Sequence, residues 1–295
     1  MKPSNAKFFS QLQAATQELD FPLSSASEPL NPLLWEVEVK GELTIENLLR
    51  SEVPNFDYYR DGGKIIKPVN LENYLQNLSL KLRQNDPEVE EKYQEVFQLL
   101  KTNFSLLEAV EIRSLDDPGD SFHLMYGTTK SGEWVGISPN IPAEWQEWVP
   151  NGEHAIGGPL LEVEPPQTAI TLDLVTQLEM IFQDLVYCEP NLYSGFTGKG
   201  FTVRVGETRE LMFNSLLDSI GYARTFPFQP FTAEDIEDDE PEEWEPFQAL
   251  DHLLLTNLTN LRTYLFGMNS CYHIYSIGQM QTGDWAGVAS IAVWT

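Results

Sequence analysis

The chain has 295 residues, 42% of them hydrophobic and 12% aromatic, which is enough apolar material for more than one core and excludes a disordered composition. Asp+Glu 45 against Lys+Arg 18 leaves a formal charge of −27. Such a surface repels a phosphate backbone, argues against direct nucleic-acid binding and makes a basic protein the natural partner, although solubility alone also accounts for acidity of this kind.

The first periodic stretch carries Phe8, Leu12, Ala15 and Leu19, the stripe of an amphipathic helix with one buried face, and Leu174, Leu178, Ile181 and Leu185 repeat its spacing. The same offset carries the strand expected next, in which Trp35, Val37 and Val39 become Phe201, Val203 and Val205 with polar residues between. Loops 21–31 and 187–200 separate helix from strand, and aperiodic loops of this length often carry function. Gly198-Lys199-Gly200 lacks the glycine spacing and the following hydroxyl of a phosphate loop, so that reading is rejected. Asn70 is placed to cap a short helix bearing Leu71, Tyr74, Leu75 and Leu78.

A longer helix follows in each half, carried by Tyr93, Val96, Leu100 and Phe104 and by Trp244, Phe247, Leu250 and Leu254, with Pro246 expected near the first turn of the latter. Each half then ends in strands, around 110–113, 122–126 and 134–138 in the first and 263–266, 272–277 and 285–293 in the second. The most specific repeat lies in those strands. Ser131-Gly132-Glu133-Trp134-Val135-Gly136-Ile137 returns as Thr282-Gly283-Asp284-Trp285-Ala286-Gly287-Val288. It reads as a hairpin rule in which the first Gly supplies a positive φ and the second admits a close neighbour.

The expected fold is therefore α+β: two tandem α-β-α sandwich domains, residues 1–140 and 169–295, each an antiparallel sheet of about four strands with helices packed on it. A Pro/Gly-rich linker, residues 141–168, joins them, and its Trp145 and Trp148 imply packing against a domain. Cys188 and Cys271 are too few for a secreted disulfide framework, and no apolar run suits a signal peptide or a membrane span, so a cytoplasmic setting is expected.

Catalytic chemistry finds no positive support. His123, His154, His252 and His273 lack metal-ligand spacing, and His123 and His273 fall in expected strands, where a structural role is the better reading. The chain has no Gly-x-Ser-x-Gly elbow, and no cofactor is implied. The densest local feature is the acidic run 234–245, with Glu234, Asp235, Glu237, Asp238 and Asp239 ahead of Pro241 and Trp244. It reads either as a solvated loop feeding acids into a helix N-terminus or as a negative patch with aromatic anchors that mimics nucleic acid toward a basic protein.

At this point the residues resemble a family. Leu19-Asp20-Phe21 and Leu185-Val186-Tyr187 at the ends of the opening helices, Leu34-Trp35-Glu36, Phe97-Gln98 and Phe247-Gln248, and the hairpins 127–138 and 278–289 are similar, in order and spacing, to the small cyanobacterial nuclease A inhibitor family. The resemblance implies an α-β-α sandwich that inhibits a sugar-nonspecific, Mg²⁺-dependent nuclease. It also implies that Thr295, after Trp294, reaches the partner's metal, assisted by an acid in the first loop; an oxygen donor suits that hard ion. In the first half the family's loop acid is replaced by Ala26, within Ser25-Ala26-Ser27-Glu28. In the second, Pro190 stands at that position and Glu189 one place before it. The partner-contacting set is thus Thr295, Trp294, Glu189 and the acids from Glu234 to Asp239, with no metal of the chain's own. The alternative is an assembly or interaction protein that keeps the fold without the nuclease target.

Overall fold

The computed structural model describes residues 1–22, 24, 28–51, 65–74, 76, 87–113, 121–139, 166–183, 185, 201–232, 241–268 and 271–293. The first half forms α1 (Pro3–Ala15), β1 (Asn31–Trp35), α2 (Val37–Lys40), α3 (Ile45–Arg50), β2 (Ile66–Val69), α4 (Pro87–Asn103), β3 (Phe104–Arg113), β4 (Ser121–Thr129) and β5 (Trp134–Pro139). The second forms α5 (Ala169–Phe182), β6 (Phe201–Gly206), α6 (Arg209–Ser219), β7 (Ala223–Pro227), α7 (Pro241–Asn257), β8 (Thr259–Met268), β9 (Cys271–Gln279) and β10 (Trp285–Val293). The class is α+β, with two antiparallel sheets of five strands each. Sheet I has the order β1-β10-β9-β8-β7 and sheet II the order β2-β3-β4-β5-β6.

Each sheet has one strand more than the four expected, because β2 and β7 carry no readable alternation. Both are short edge strands containing Pro68 or Pro227, and an edge is where a residue without an N–H is tolerated. The strand expected at 35–39 is also displaced. β1 ends at Trp35, residues Val37–Lys40 form a single helical turn closed by Gly41 at φ 78°, and Val39 is exposed. Pro246 lies inside α7 and not in its first turn, because that helix begins at Pro241. The helix cap at Asn70 is present, its Oδ1 accepting from Asn73 N–H at 3.0 Å.

Three hydrophobic clusters order the layers. Phe8 and Leu12 of α1 pack with Leu250 and Leu254 of α7 on the outer face of sheet I. Leu174 and Leu178 of α5 pack with Tyr93, Val96 and Leu100 of α4 on the outer face of sheet II. Between the sheets lie α3 and α6, whose Leu48, Leu49, Met212, Phe213 and Leu216 join Phe266, Tyr275 and Ile277 of sheet I to Val110, Ile112 and Tyr126 of sheet II. Met212, Phe213, Leu216 and Leu217 are fully buried. At about 1.5–3 kcal/mol each they contribute ~6–12 kcal/mol, as much as the net stability of a whole domain, so α6 cannot leave the middle layer without unfolding.

Strand pairing crosses between the halves. β1 of the first half pairs with β10 of the second, from Asn31↔Ala289 to Trp35↔Trp285. β6 of the second half pairs with β5 of the first, from Trp134↔Gly206 to Pro139↔Phe201. The repeated hairpin motif supplies the chemistry of this exchange. In each copy the acid after the turn glycine is buried, and it binds the segment that crosses over. Asp284 accepts from Asn5 Nδ2 at 2.8 Å, Lys2 Nζ at 2.9 Å and Val37 N–H at 2.9 Å, which ties down both ends of the α1–β1 unit and caps α2. Glu133 accepts from Gln167 N–H at 2.6 Å and from the Thr168 hydroxyl, and Thr168 in turn caps α5 through Thr171 N–H. The turn glycines Gly132 and Gly283 have φ of 95° and 84°. A Cβ on Gly287 would lie 1.9 Å from the Ser276 carbonyl oxygen, and one on Gly136 would lie 2.3 Å from Met212 Sδ.

One ion network stitches the middle layer. Arg209, at the start of α6, binds Glu46 of α3 at 2.7 and 2.8 Å and Glu108 of β3 at 2.8 and 2.9 Å. Glu46 also accepts from Arg50 and from the Tyr126 hydroxyl. These donors outweigh the cost of burial and hold the Glu46 carboxyl below its ordinary value.

Candidate partner-binding site

The crossing of β1 onto β10 has a local consequence at the far end of that pair. The chain between α1 and β1 narrows to a two-rung ribbon in which Phe21 N–H donates to Glu28 O at 2.7 Å, Leu30 N–H donates to Leu19 O at 2.8 Å, and Asp20 and Pro29 form an antiparallel bridge. This ribbon lies beside the end of β10. The Ser24 hydroxyl accepts from Val293 N–H at 3.0 Å and faces Val293 O at 3.4 Å, while the Ser290 hydroxyl donates to Pro29 O at 3.0 Å. A loop of the first half thus clamps the last described residue of the second.

A third segment reaches the same place. Phe21 packs edge-on against Phe231, with ring centroids 6.2 Å apart, and Phe231 also contacts Phe228 and Phe247. Asp251 of α7 accepts from Phe231 N–H at 3.0 Å, Thr232 N–H at 3.2 Å and the Thr232 hydroxyl at 3.0 Å. Burial pushes the Asp251 carboxyl up, and the three donors oppose that shift. The root of the acidic run is therefore pinned to α7, which itself begins within the run at Pro241. Glu28, in the ribbon, is pushed up by burial, and repulsion from Asp20 adds to the shift.

Only the flanks of the sequence-derived residues can be placed relative to this convergence. Thr295, Trp294, Glu189, Glu234, Asp235, Glu237, Asp238 and Asp239 all lie outside the described residues, as do Ala26, Cys188 and the segment 140–165. Their flanks are described. Val293 precedes Trp294 and Thr295, and Thr232 stands two residues before Glu234; both flanks adjoin the first-half loop. Glu189 is bracketed by Leu185 and Phe201, which belong to the cluster on the outer face of sheet II. The structure therefore gathers the flanks of Thr295 and the acidic run around 20–30 and places those of Glu189 against the other sheet. Phe231 and Asp251 were not singled out from the sequence, and Phe21 and Ser24 stood out only as parts of a family motif and an aperiodic loop, because only the crossed strand pairing brings the four together.

The histidines in strands have structural surroundings. His123 stacks on Tyr74 at 4.3 Å. His273 is buried, and burial alone lowers its pKa to about 3, so it stays neutral at physiological pH. Among the described residues no group of three His, Cys, Asp or Glu side chains could hold a metal ion. No helix among them is long and apolar enough to cross a membrane. The arrangement joins three segments of the chain through hydroxyl, carboxylate and strand-end backbone groups.

No curated protein matches the chain. The family model for nuclease A inhibitor-like protein matches residues 6–141 and 218–295, which is most of the sequence and includes the α1–β1 unit, the first-half loop and the strands β8 to β10. On that match, with its α+β architecture, the chain belongs to the nuclease A inhibitor-like protein family.

Proposed function

We propose that the protein is an acidic, non-enzymatic binding module that blocks or holds a basic partner protein of the sugar-nonspecific nuclease kind. In this reading residues 1–140 and 169–295 are duplicated copies joined by 141–168, and the contact surface is the convergence at the end of β10. Thr295 and Trp294 extend from the strand that Ser24 clamps, and the acids Glu234, Asp235, Glu237, Asp238 and Asp239 extend from the root that Asp251 pins. Glu189 belongs to a second, separate contact. The observation that carries the reading is the clamp between Ser24 and Val293, which fixes the base of the proposed Thr295 contact using a residue from the other half. Charge complementarity with a basic protein accelerates association and makes it sensitive to salt.

The test is a DNA-degradation assay with a sugar-nonspecific Mg²⁺-dependent nuclease. Full-length protein is expected to inhibit. Removal of Thr295 and conversion of the five acids to Gln are each expected to weaken inhibition at least tenfold, the second more strongly at low salt. Ala26, at the family's loop-acid position, favours a second reading in which the fold binds a different basic protein. A salt-sensitive complex without nuclease inhibition would establish that reading instead.

A further inference from the structure

A cleft of about 250 Å³ opens between the first turn of α3, the exposed side of α6 and the β7–β8 edge of sheet I. Its walls come from both halves of the chain. Glu210 and Asn214 stand four residues apart on α6 and project from the same side, while Arg262 and Tyr264 alternate along β8 and share a face. Helical and strand spacing thus set a carboxylate and an amide on one wall and a guanidinium and a phenol on the other. Between them lie the apolar side chains of Ile45 and Leu48, both buried.

Two observations define what fits. Arg262 Nε lies 3.4 Å from the Thr225 hydroxyl, which holds the guanidinium against β7. The Tyr264 phenol is raised chiefly by burial, with Arg262 lowering it and Glu210 raising it, which puts both charges within electrostatic reach of one hydroxyl. A site with a carboxylate on one wall, a guanidinium on the other and an apolar floor is complementary to a zwitterion with an apolar side chain. The volume equals roughly eight water molecules at about 30 Å³ each, the size of a compound of about eight to ten non-hydrogen atoms.

We propose that this cleft binds a free α-amino acid with an apolar side chain. Its ammonium group is received by Glu210, its carboxylate by Arg262, and its side chain by Ile45, Leu48 and the Tyr264 ring. The proposal does not depend on any nuclease partner, and its test involves none. Isothermal titration of the full-length protein uses L-leucine as the first probe, then the other amino acids, with 4-methylpentanoate and 3-methylbutylamine as analogues that keep only one of the two charges. Saturable binding of L-leucine or another apolar amino acid is expected, with each analogue weaker by about tenfold or more. Glu210→Gln and Arg262→Met are each expected to weaken binding about tenfold while leaving the unfolding midpoint unchanged, since both side chains are exposed. An absence of saturable binding by every apolar amino acid, binding confined to charged ones, or binding unaffected by both substitutions would overturn the proposal.

Discussion

Asp284 offers the sharpest test of how the halves are held. Asp284→Ala removes an acceptor that is 1% exposed and leaves two donors behind it, Asn5 Nδ2 in a residue with no exposure and Val37 N–H at the head of α2. An unsatisfied buried donor costs about 1–3 kcal/mol, while Lys2, on the surface, regains water. Together the two donors give a loss of ~2–6 kcal/mol, and Asp284→Asn, which keeps one acceptor, should lose about half as much. Urea denaturation measures the difference, and the melting midpoint should fall on the order of 10 °C. Amide exchange at Val37 and along α1 should accelerate before the rest of the molecule does. The pH dependence has a definite sign. Asn5 first, and then Lys2, hold the Asp284 carboxyl well below the ordinary carboxylate range, so its contribution is complete above about pH 4 and is lost as pH falls further. If Asp284→Ala came within ~1 kcal/mol of the parent, the latch would be an incidental surface contact.

The remaining predictions concern the close approaches, the ion network and the loop. Gly287→Ala should destabilise more than Gly136→Ala, by about 3 kcal/mol against ~1–2, because the first meets backbone and the second meets the end of the Met212 side chain; equal midpoints in urea would contradict this. Arg209→Met should cost about 2–4 kcal/mol by leaving Glu46 and Glu108 without their shared cation, and a double-mutant cycle with Glu46→Gln should recover a coupling of at least ~1 kcal/mol. Glu28→Gln should stabilise by a few tenths of a kcal/mol at neutral pH and not below about pH 4. Burial and Asp20 disfavour the ionised form of Glu28, so its cost builds as pH rises past the ordinary carboxylate value and is complete above its raised value. Ser24→Ala should leave the urea midpoint within ~1 kcal/mol of the parent and weaken nuclease inhibition, whereas unchanged inhibition would detach the clamp from the proposed contact.

Local physics made much of this fold readable. The stripe Phe8–Leu12 and its counterpart Leu174–Leu178 are buried as their spacing requires, and the hairpin glycines have the φ values and close neighbours that the repeat implied. The strand misplaced at 35–39 shows where reading failed. Alternating Trp35, Val37 and Val39 looks like a strand, but the Asp284 carboxylate, some 250 positions away, caps a helical turn at Val37. That information is not in the local sequence. The same holds for the candidate site. The acidic run and the C-terminal strand were visible as residues, but the approach of Phe231, ahead of the run, and of the end of β10 to the first-half loop depends on β1 joining β10, and no periodicity encodes which of two similar strands will be its partner.

That pairing is what the account rests on, and solution NMR tests it directly. Cross-strand proton contacts are expected between Leu34 and Ala286 and between Pro32 and Val288 on one sheet, and between Val135 and Val205 on the other. Contacts of β1 with β5 and of β6 with β10 would mean that each half closes its own sheet, and the loop around Ser24 would then no longer stand beside Val293.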